Sequence, residues 1–221
     1  MLYTVLHRLL GVVLRTVWRP QVEGLEHVPP DGPLLVASNH LSFIDSIVIP
    51  LVLPRHVSFL AKAEYFTSRR LRDLPMRVFV TVMEAVPVAR DQTSDAQASL
   101  QVALGVLNGG GAFGIYPEGT RSRDGRLYRG RTGVGWLALS SGAPVLPVGL
   151  NGTQRVQPIG ARLPRVHRLQ VRIGKPVDPG IYADLPPGRA RRDITDEVMD
   201  RVAELSGQQR ADSYNERPAE N

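Results

Sequence analysis

The sequence predicts an α/β fold: a single domain on a mainly parallel or mixed central sheet flanked by helices, preceded by an N-terminal amphipathic helix. Three observations carry this. Short apolar, strand-like runs alternate with longer runs of helical period, the order that builds a parallel sheet. The 221 residues, 43% hydrophobic and 22% charged, are enough for one sizeable core and leave little for a second. Residues 1–18 contain no acid and are apolar along one side.

On a helix, Thr4, Arg8, Gly11, Arg15 and Arg19 line one narrow stripe, while Leu2, Val5, Leu6, Leu9, Val13 and Val17 fill the opposite side, and Pro20 stops the run. A spanning helix needs about 20 apolar residues, and Arg8 and Arg15 interrupt this one. Val17-Trp18-Arg19 does not resemble a signal-peptide cleavage site. Segment 1–20 therefore reads as a helix lying on an anionic membrane surface with Trp18 at the boundary. A helix packed on its own domain is the alternative.

Pro29-Pro30-Asp31-Gly32 reads as a turn into a buried strand at 33–37. A helix over 42–53 and a strand at 57–60 follow, then a helical stretch over 64–83 broken at Pro75, and a strand at 85–89. The period over 91–107 is helical, with Ala96, Leu100, Ala103, Leu104 and Leu107 on one face. Glycines 109–111 end it. Next come a strand at 112–116, a helix over 132–140, strands at 145–150 and 169–173, and a final helix over 191–205. The main domain is thus 21–206, and the polar tail 207–221 is expected to fray.

Gly109, Gly111 and Gly114 satisfy the dinucleotide-binding spacing G-x-G-x-x-G. That motif must follow a strand and open a helix; here the order is reversed, and a dinucleotide site is not expected.

The formal charge is +6 and the pI about 10.1, which favours anionic partners. Lys62 and Lys175 are the only lysines. The remaining positive charge is arginine, whose planar fork grips phosphate through two hydrogen bonds, although a GC-rich genome gives the same bias. No aromatic-rich or groove-reading motif supports nucleic acid. The absence of cysteine excludes disulfides, thiolate nucleophiles and Cys-rich zinc sites, and fits an intracellular setting.

The strongest chemical signal is Asn39-His40-Leu41-Ser42-Phe43-Ile44-Asp45 at the end of a strand. Histidine suits general-base work near neutral pH, and improves when a carboxylate holds its second nitrogen. His40 and Asp45 can meet if His40 precedes the helix and Asp45 lies in its first turn, with Ser42 as N-cap. Ser42-x-x-Asp45 also has the spacing of a capping box, so Asp45 has two open roles. Backbone N–H groups at the start of this helix are candidate oxyanion donors.

The second signal is Tyr116-Pro117-Glu118-Gly119-Thr120-Arg121-Ser122, after a buried strand at the end where open α/β sheets bind ligands. Gly119 permits close backbone approach. Thr120, Arg121 and Ser122 offer donors to a phosphate, and Arg123, Arg126, Arg129 and Arg131 add charge. A solvated basic loop is the alternative.

From about residue 22 to 175 the chain resembles the glycerolipid acyltransferase superfamily, typified by 1-acylglycerol-3-phosphate acyltransferase. Asn39 to Asp45 match its N-H-x-x-x-x-D motif. Tyr116 to Ser122 match its F-P-E-G-T-R-S-like block with Tyr for Phe, and Leu146-Pro147-Val148 its V-P-V-like strand. Val86-Pro87-Val88-Ala89-Arg90 and Lys62 look like its remaining strand and basic position.

The resemblance implies acyl transfer in phospholipid biosynthesis, from acyl-CoA or acyl carrier protein to a lysophospholipid, with no metal or cofactor. It implies His40 as base and Asp45 as its orienter. Glu118, Gly119, Thr120 and Arg121 belong to the acceptor site, with Arg121 on the phosphate and Arg90 a second phosphate contact. Asn39, Ser42, Lys62, Arg129, Arg131 and Pro147 are secondary candidates. The expected setting is the cytoplasmic face of the cell membrane, peripheral or monotopic. Open alternatives are the same chemistry on glycerol 3-phosphate or another lysophospholipid, and a noncatalytic protein of anionic membranes.

Overall fold

The computed structural model describes residues 2–62, 64–67, 77, 80, 86–88, 94–161 and 163–216. The described strands are β1 (Gln21–Glu23), β2 (Leu34–Ser38), β3 (Val57–Lys62), β4 (Val86–Val88), β5 (Ala112–Ile115), β6 (Val145–Asn151) and β7 (Gln170–Ile173). They form one mixed sheet in the order β1-β7-β6-β2-β5-β3-β4. Strands β6, β2, β5, β3 and β4 run parallel; β7 is antiparallel to β6, and β1 is parallel to β7.

Alternation along β2 divides the core. Leu34 and Val36 face one side with Phe59, Leu146 and Val148, under Val48 and Ile49 of α2 (Asp45–Val52). Leu35 and Ala37 face the other. There they meet Ala103 and Leu107 of α4 (Ser94–Asn108), Leu137 of α5 (Gly133–Ser141) and Val198 and Met199 of α7 (Pro187–Ser206). Two short helices, α3 (Glu64–Thr67) and α6 (Thr153–Val156), also occur among the described residues.

The connection leaving β2 carries α2 on one face, and the one leaving β5 carries α5 on the other. The neighbouring ends of β2 and β5 are therefore a topological switch point, where an open α/β sheet forms a binding crevice. Gly114 on β5 has a packing role: a Cβ there would lie 2.1 Å from the Phe59 ring.

The N-terminal helix α1 (Leu2–Val13) continues as a π-helical turn, Leu14–Trp18. Leu14 is buried, and Leu10 and Trp18 pack against the same core. Gly11, expected on the cationic stripe, is also buried. The outward face exposes Leu9, Val12, Val13 and Val17 together with Arg8 and Arg15. No helix among the described residues is long and apolar enough to cross a membrane.

Three expectations need correction. The helix expected from Ser42 starts at Asp45. The last helix starts at Pro187, four residues before the expected start, because proline at the first helical position has the right φ and no N–H to lose. Residues 207–216 do not fray. Leu127 N–H donates to Gln209 O at 2.9 Å, Ala211 N–H to Leu127 O at 2.8 Å, and Arg129 N–H to Ser213 O at 3.0 Å. The tail thus docks beside the 125–131 segment. Most of the 64–83 stretch lies outside the described residues.

Candidate active site

Strand β2 ends at Ser38, and the next residue anchors the crest. Asn39 is fully buried; its Nδ2 donates to Leu150 O at 2.9 Å, and its Oδ1 accepts from Leu150 N–H at 2.8 Å. Both contacts tie the end of β2 to β6. A third, Asn39 Nδ2 to Gln208 Oε1 at 2.7 Å, reaches the C-terminal segment. His40 follows from this fixed point.

Asp45 is fully buried. Three donors converge on its Oδ2: His40 Nδ1 at 2.9 Å, Leu41 N–H at 2.7 Å and Ser42 N–H at 2.7 Å. One oxygen therefore holds the imidazole and orders the turn before α2, so the two open roles of Asp45 coincide. The contact assigns the His40 proton to Nδ1 and leaves Nε2 as the acceptor. The His40 side chain keeps 17% of its surface exposed, enough for a substrate to reach it. Ser42 is not the helix cap; its Oγ donates to Gln157 O at 2.7 Å. Of the N–H groups expected as oxyanion donors at the start of this helix, that of Ser42 is already committed to Asp45.

Tyr116 lies flat on His40, with ring centroids 3.8 Å apart and planes 8° from parallel. Its hydroxyl is 2.8 Å from Ser46 Oγ on the first turn of α2. Burial, then the Asp45 charge, holds the phenol well above its ordinary titration range. Sequence reasoning registered Tyr116 only as a replacement for Phe. Its signal was position: Ala37 on β2 faces Ile115 on β5, so each strand's next residues meet at the crest.

Glu118 occupies a different place from the one expected. Its carboxylate is fully buried, Oε1 accepting from His40 N–H at 2.9 Å and Oε2 from Tyr128 N–H at 3.0 Å. It braces His40 against the loop and does not face the crevice. Burial pushes it up to about 7, opposed by the two N–H bonds and reinforced by Asp45 and Asp124.

The loop after β5 turns at Gly119, where φ is +80° and the N–H bonds to Tyr116 O at 3.0 Å. A Cβ at Gly119 would sit 3.1 Å from Arg131 Nε, so the two segments touch. Arg131 N–H bonds to Pro117 O at 2.8 Å, and Ser122 N–H to His40 O at 2.7 Å. Exposed Arg121 is thereby held one residue from a contact with His40. Thr120 gives its carbonyl to Asn215 Nδ2 at 3.3 Å. Arg129 and Arg131 flank the Tyr214 ring at 5.3 and 5.5 Å from its centroid. Among the described residues, no carboxylate pairs with Arg121, Arg129 or Arg131.

The chain matches the family model described as Acyltransferase over residues 19–151. It belongs to the acyltransferase family. It is 31% identical over 184 residues to the chloroplastic 1-acyl-sn-glycerol-3-phosphate acyltransferase BAT2 of Brassica napus, covering 82% of this chain and 51% of that one. It is 26% identical over 198 residues to the 1-acyl-sn-glycerol-3-phosphate acyltransferase of Bacillus subtilis, covering 89% and 92%. Its fold superposes with a TM-score of 0.71, at 27% identity, on the crystal structure of the 1-acyl-sn-glycerophosphate acyltransferase PlsC of Thermotoga maritima, covering 92% and 79%. The chain spans about half the length of the plant relatives it matches.

In this acyltransferase-family chain the crest brings together Asn39, His40, Ser42, Asp45, Glu118, Gly119, Thr120, Arg121, Arg129 and Arg131. Pro147 is not among them: it is buried within β6 opposite Ala37, four residues before the strand ends. Lys62 is the last residue of β3, paired through its backbone with Val88. Arg90 lies outside the described residues. No group of three or more His, Asp or Glu that could hold a metal occurs among the described residues. Two cavities of about 330 and 260 Å³ lie elsewhere, one at Gly32, Ser58 and Ala112 on the opposite end of the strands, the other beside Trp136 and Arg191.

Proposed function

We propose that this chain transfers a fatty acyl group from an acyl thioester to the free hydroxyl of 1-acylglycerol 3-phosphate at the cytoplasmic face of the cell membrane. The donor is acyl-CoA or acyl-acyl carrier protein. The carrying observation is the His40–Asp45 contact at the switch point, with Nε2 left as the acceptor. The names of the Brassica napus and Bacillus subtilis relatives support the choice of acceptor.

The acceptor hydroxyl meets Nε2 of His40. As its oxygen attacks the thioester carbonyl carbon, Nε2 takes the hydroxyl proton and Asp45 stabilises the resulting imidazolium. The new C–O bond forms, the tetrahedral intermediate collapses, and the C–S bond breaks. The leaving thiolate recovers the proton from Nε2. No covalent acyl-enzyme is needed, in keeping with a chain that has no cysteine.

The acceptor phosphate is held by Arg121, with Arg129 and Arg131 beside it. A planar guanidinium makes two parallel bonds to a phosphate, and among the described residues no carboxylate competes for these three. The outward face of α1, apolar with exposed Arg8 and Arg15, supports attachment to an anionic membrane surface.

The test is lipid product analysis with a panel of acyl thioesters and phosphorylated acceptors. The expected product is phosphatidic acid from 1-acylglycerol 3-phosphate. Acylation of glycerol 3-phosphate or of another lysophospholipid in its place would overturn the choice of acceptor. No acyl transfer by folded protein to any of them would overturn the reaction.

A further inference from the structure

We propose that the loop residues 157–161 and 163–168 form a second lipid-contacting element, which docks with α1 as one surface on an anionic bilayer and inserts Leu163 and Val166 among the lipids. This rests on the membrane reading given above and names the part of the chain that shares the contact.

Leu163 and Val166 are 78% and 77% exposed, more than Leu9, Val12, Val13 and Val17 of the N-terminal helix. They stand three positions apart on one short loop, and Ile159 at 40% exposure precedes them. Grouped apolar side chains with polar neighbours mark an interaction surface, whereas single ones do not. The neighbours are cationic: Arg155, Arg165 and Arg168 are exposed, and no carboxylate pairs with them among the described residues. The chain has no acid between Asp124 and Asp178, or before Glu23. Apolar tips flanked by exposed arginines without carboxylate partners among the described residues fit an anionic lipid surface; a protein partner would have to supply both an apolar hollow and acids around it.

The loop joins α1 directly. Trp18 Nε1 donates to Arg165 O at 2.8 Å, so the end of the N-terminal helix is tied to the residue immediately before Val166. Arg165 N–H in turn bonds to Val156 O at 2.6 Å. The other end of the loop touches the active site: Gln157 O accepts the Ser42 Oγ hydrogen bond at 2.7 Å, and Ser42 N–H is bound to Asp45. Helix α6 follows β6 at the same end of the sheet as His40. A bilayer seated on this loop lies beside the crevice into which an amphiphilic acceptor must pass.

The experiment uses the full chain and vesicles of phosphatidylcholine, with and without phosphatidylglycerol. Leu163→Asp/Val166→Asp should lower partition onto the phosphatidylglycerol vesicles by roughly tenfold or more, because two apolar tips are replaced by anions at the surface. Transfer to a short-chain, water-soluble acceptor should stay at the wild-type rate. In a second measurement, Leu163→Trp should show emission quenched by lipids brominated in the acyl chain, above the wild-type signal from Trp18 and Trp136. Unchanged partition of the double variant, or no added quenching in bound Leu163→Trp, would overturn the role of the loop. If wild type does not partition onto either vesicle, the membrane reading itself fails.

Discussion

The imidazole of His40 is gripped on an edge and on a face: Asp45 Oδ2 holds Nδ1 at 2.9 Å, and the Tyr116 ring lies 3.8 Å above it. The first contact fixes the tautomer and the second fixes the plane. Nε2 is the atom left to meet a substrate.

Tyr116 is therefore a positioning residue whose ring matters more than its hydroxyl. Tyr116→Phe keeps the stack and leaves Ser46 without its partner, at a cost of about 1 kcal/mol in stability. Turnover should stay within a few-fold of wild type. Tyr116→Ala removes the stacked face and should depress kcat far more than either KM. Steady-state kinetics of the two variants decide; equal losses would mean that the hydroxyl carries the effect.

Glu118 should make stability depend on pH in an unusual sense. A free carboxyl of this type titrates at 4.5 and the folded one at about 7, raised chiefly by burial. The folded chain therefore binds the proton more tightly. Its contribution is fully present below pH 4.5 and is lost as pH rises through 7, a gap of about 3 kcal/mol. Glu118→Gln cannot titrate. Urea unfolding at pH 5 and 8 should show wild type losing stability relative to the variant as pH rises; parallel pH dependence would contradict the buried carboxyl.

Arg121→Ala should raise the acceptor KM by about tenfold or more, the worth of a charge-assisted hydrogen bond, and leave the thioester KM nearly unchanged. Arg121→Lys should rescue only in part, since an ammonium lacks the fork. Equal shifts in both constants would remove Arg121 from the phosphate site.

The docked C-terminal segment leads to a prediction that a frayed tail would not. Tyr214 stands between Arg129 and Arg131, and Asn215 bonds both Thr120 and Arg131. Tyr214→Ala should raise the acceptor KM while Tyr214→Phe, which keeps the ring, should not. No change in either variant would leave the segment without influence on the acceptor site.

Much of this architecture was legible because the chain punctuates itself. Gly109–Gly111 and the buried runs of β2 and β6 marked their elements, and His40 and Asp45 declared a pair by residue type and spacing. Other features were hidden for physical reasons. β1 has only Val22 as an apolar residue, too little for a period. Glu118 carries a charge that suggests solvent, yet two backbone N–H groups satisfy it inside the protein. The polar composition of 207–216 suggested fraying because its partners, Leu127 and Arg129, lie some 80 residues away in sequence. The helix does not start at Ser42 because the hydroxyl that would have capped it donates instead to Gln157 O.

The measurement that bears most directly on the chemistry is acyl transfer by His40→Ala, with folding checked by circular dichroism and Asp45→Asn assayed beside it. Loss of a general base typically costs about 100-fold to 10,000-fold. A folded His40→Ala protein should fall in that range, with Asp45→Asn also severely slowed. Turnover near wild type in folded His40→Ala would contradict the mechanism. If Asp45→Asn lost stability but kept its turnover, Asp45 would belong to the turn alone.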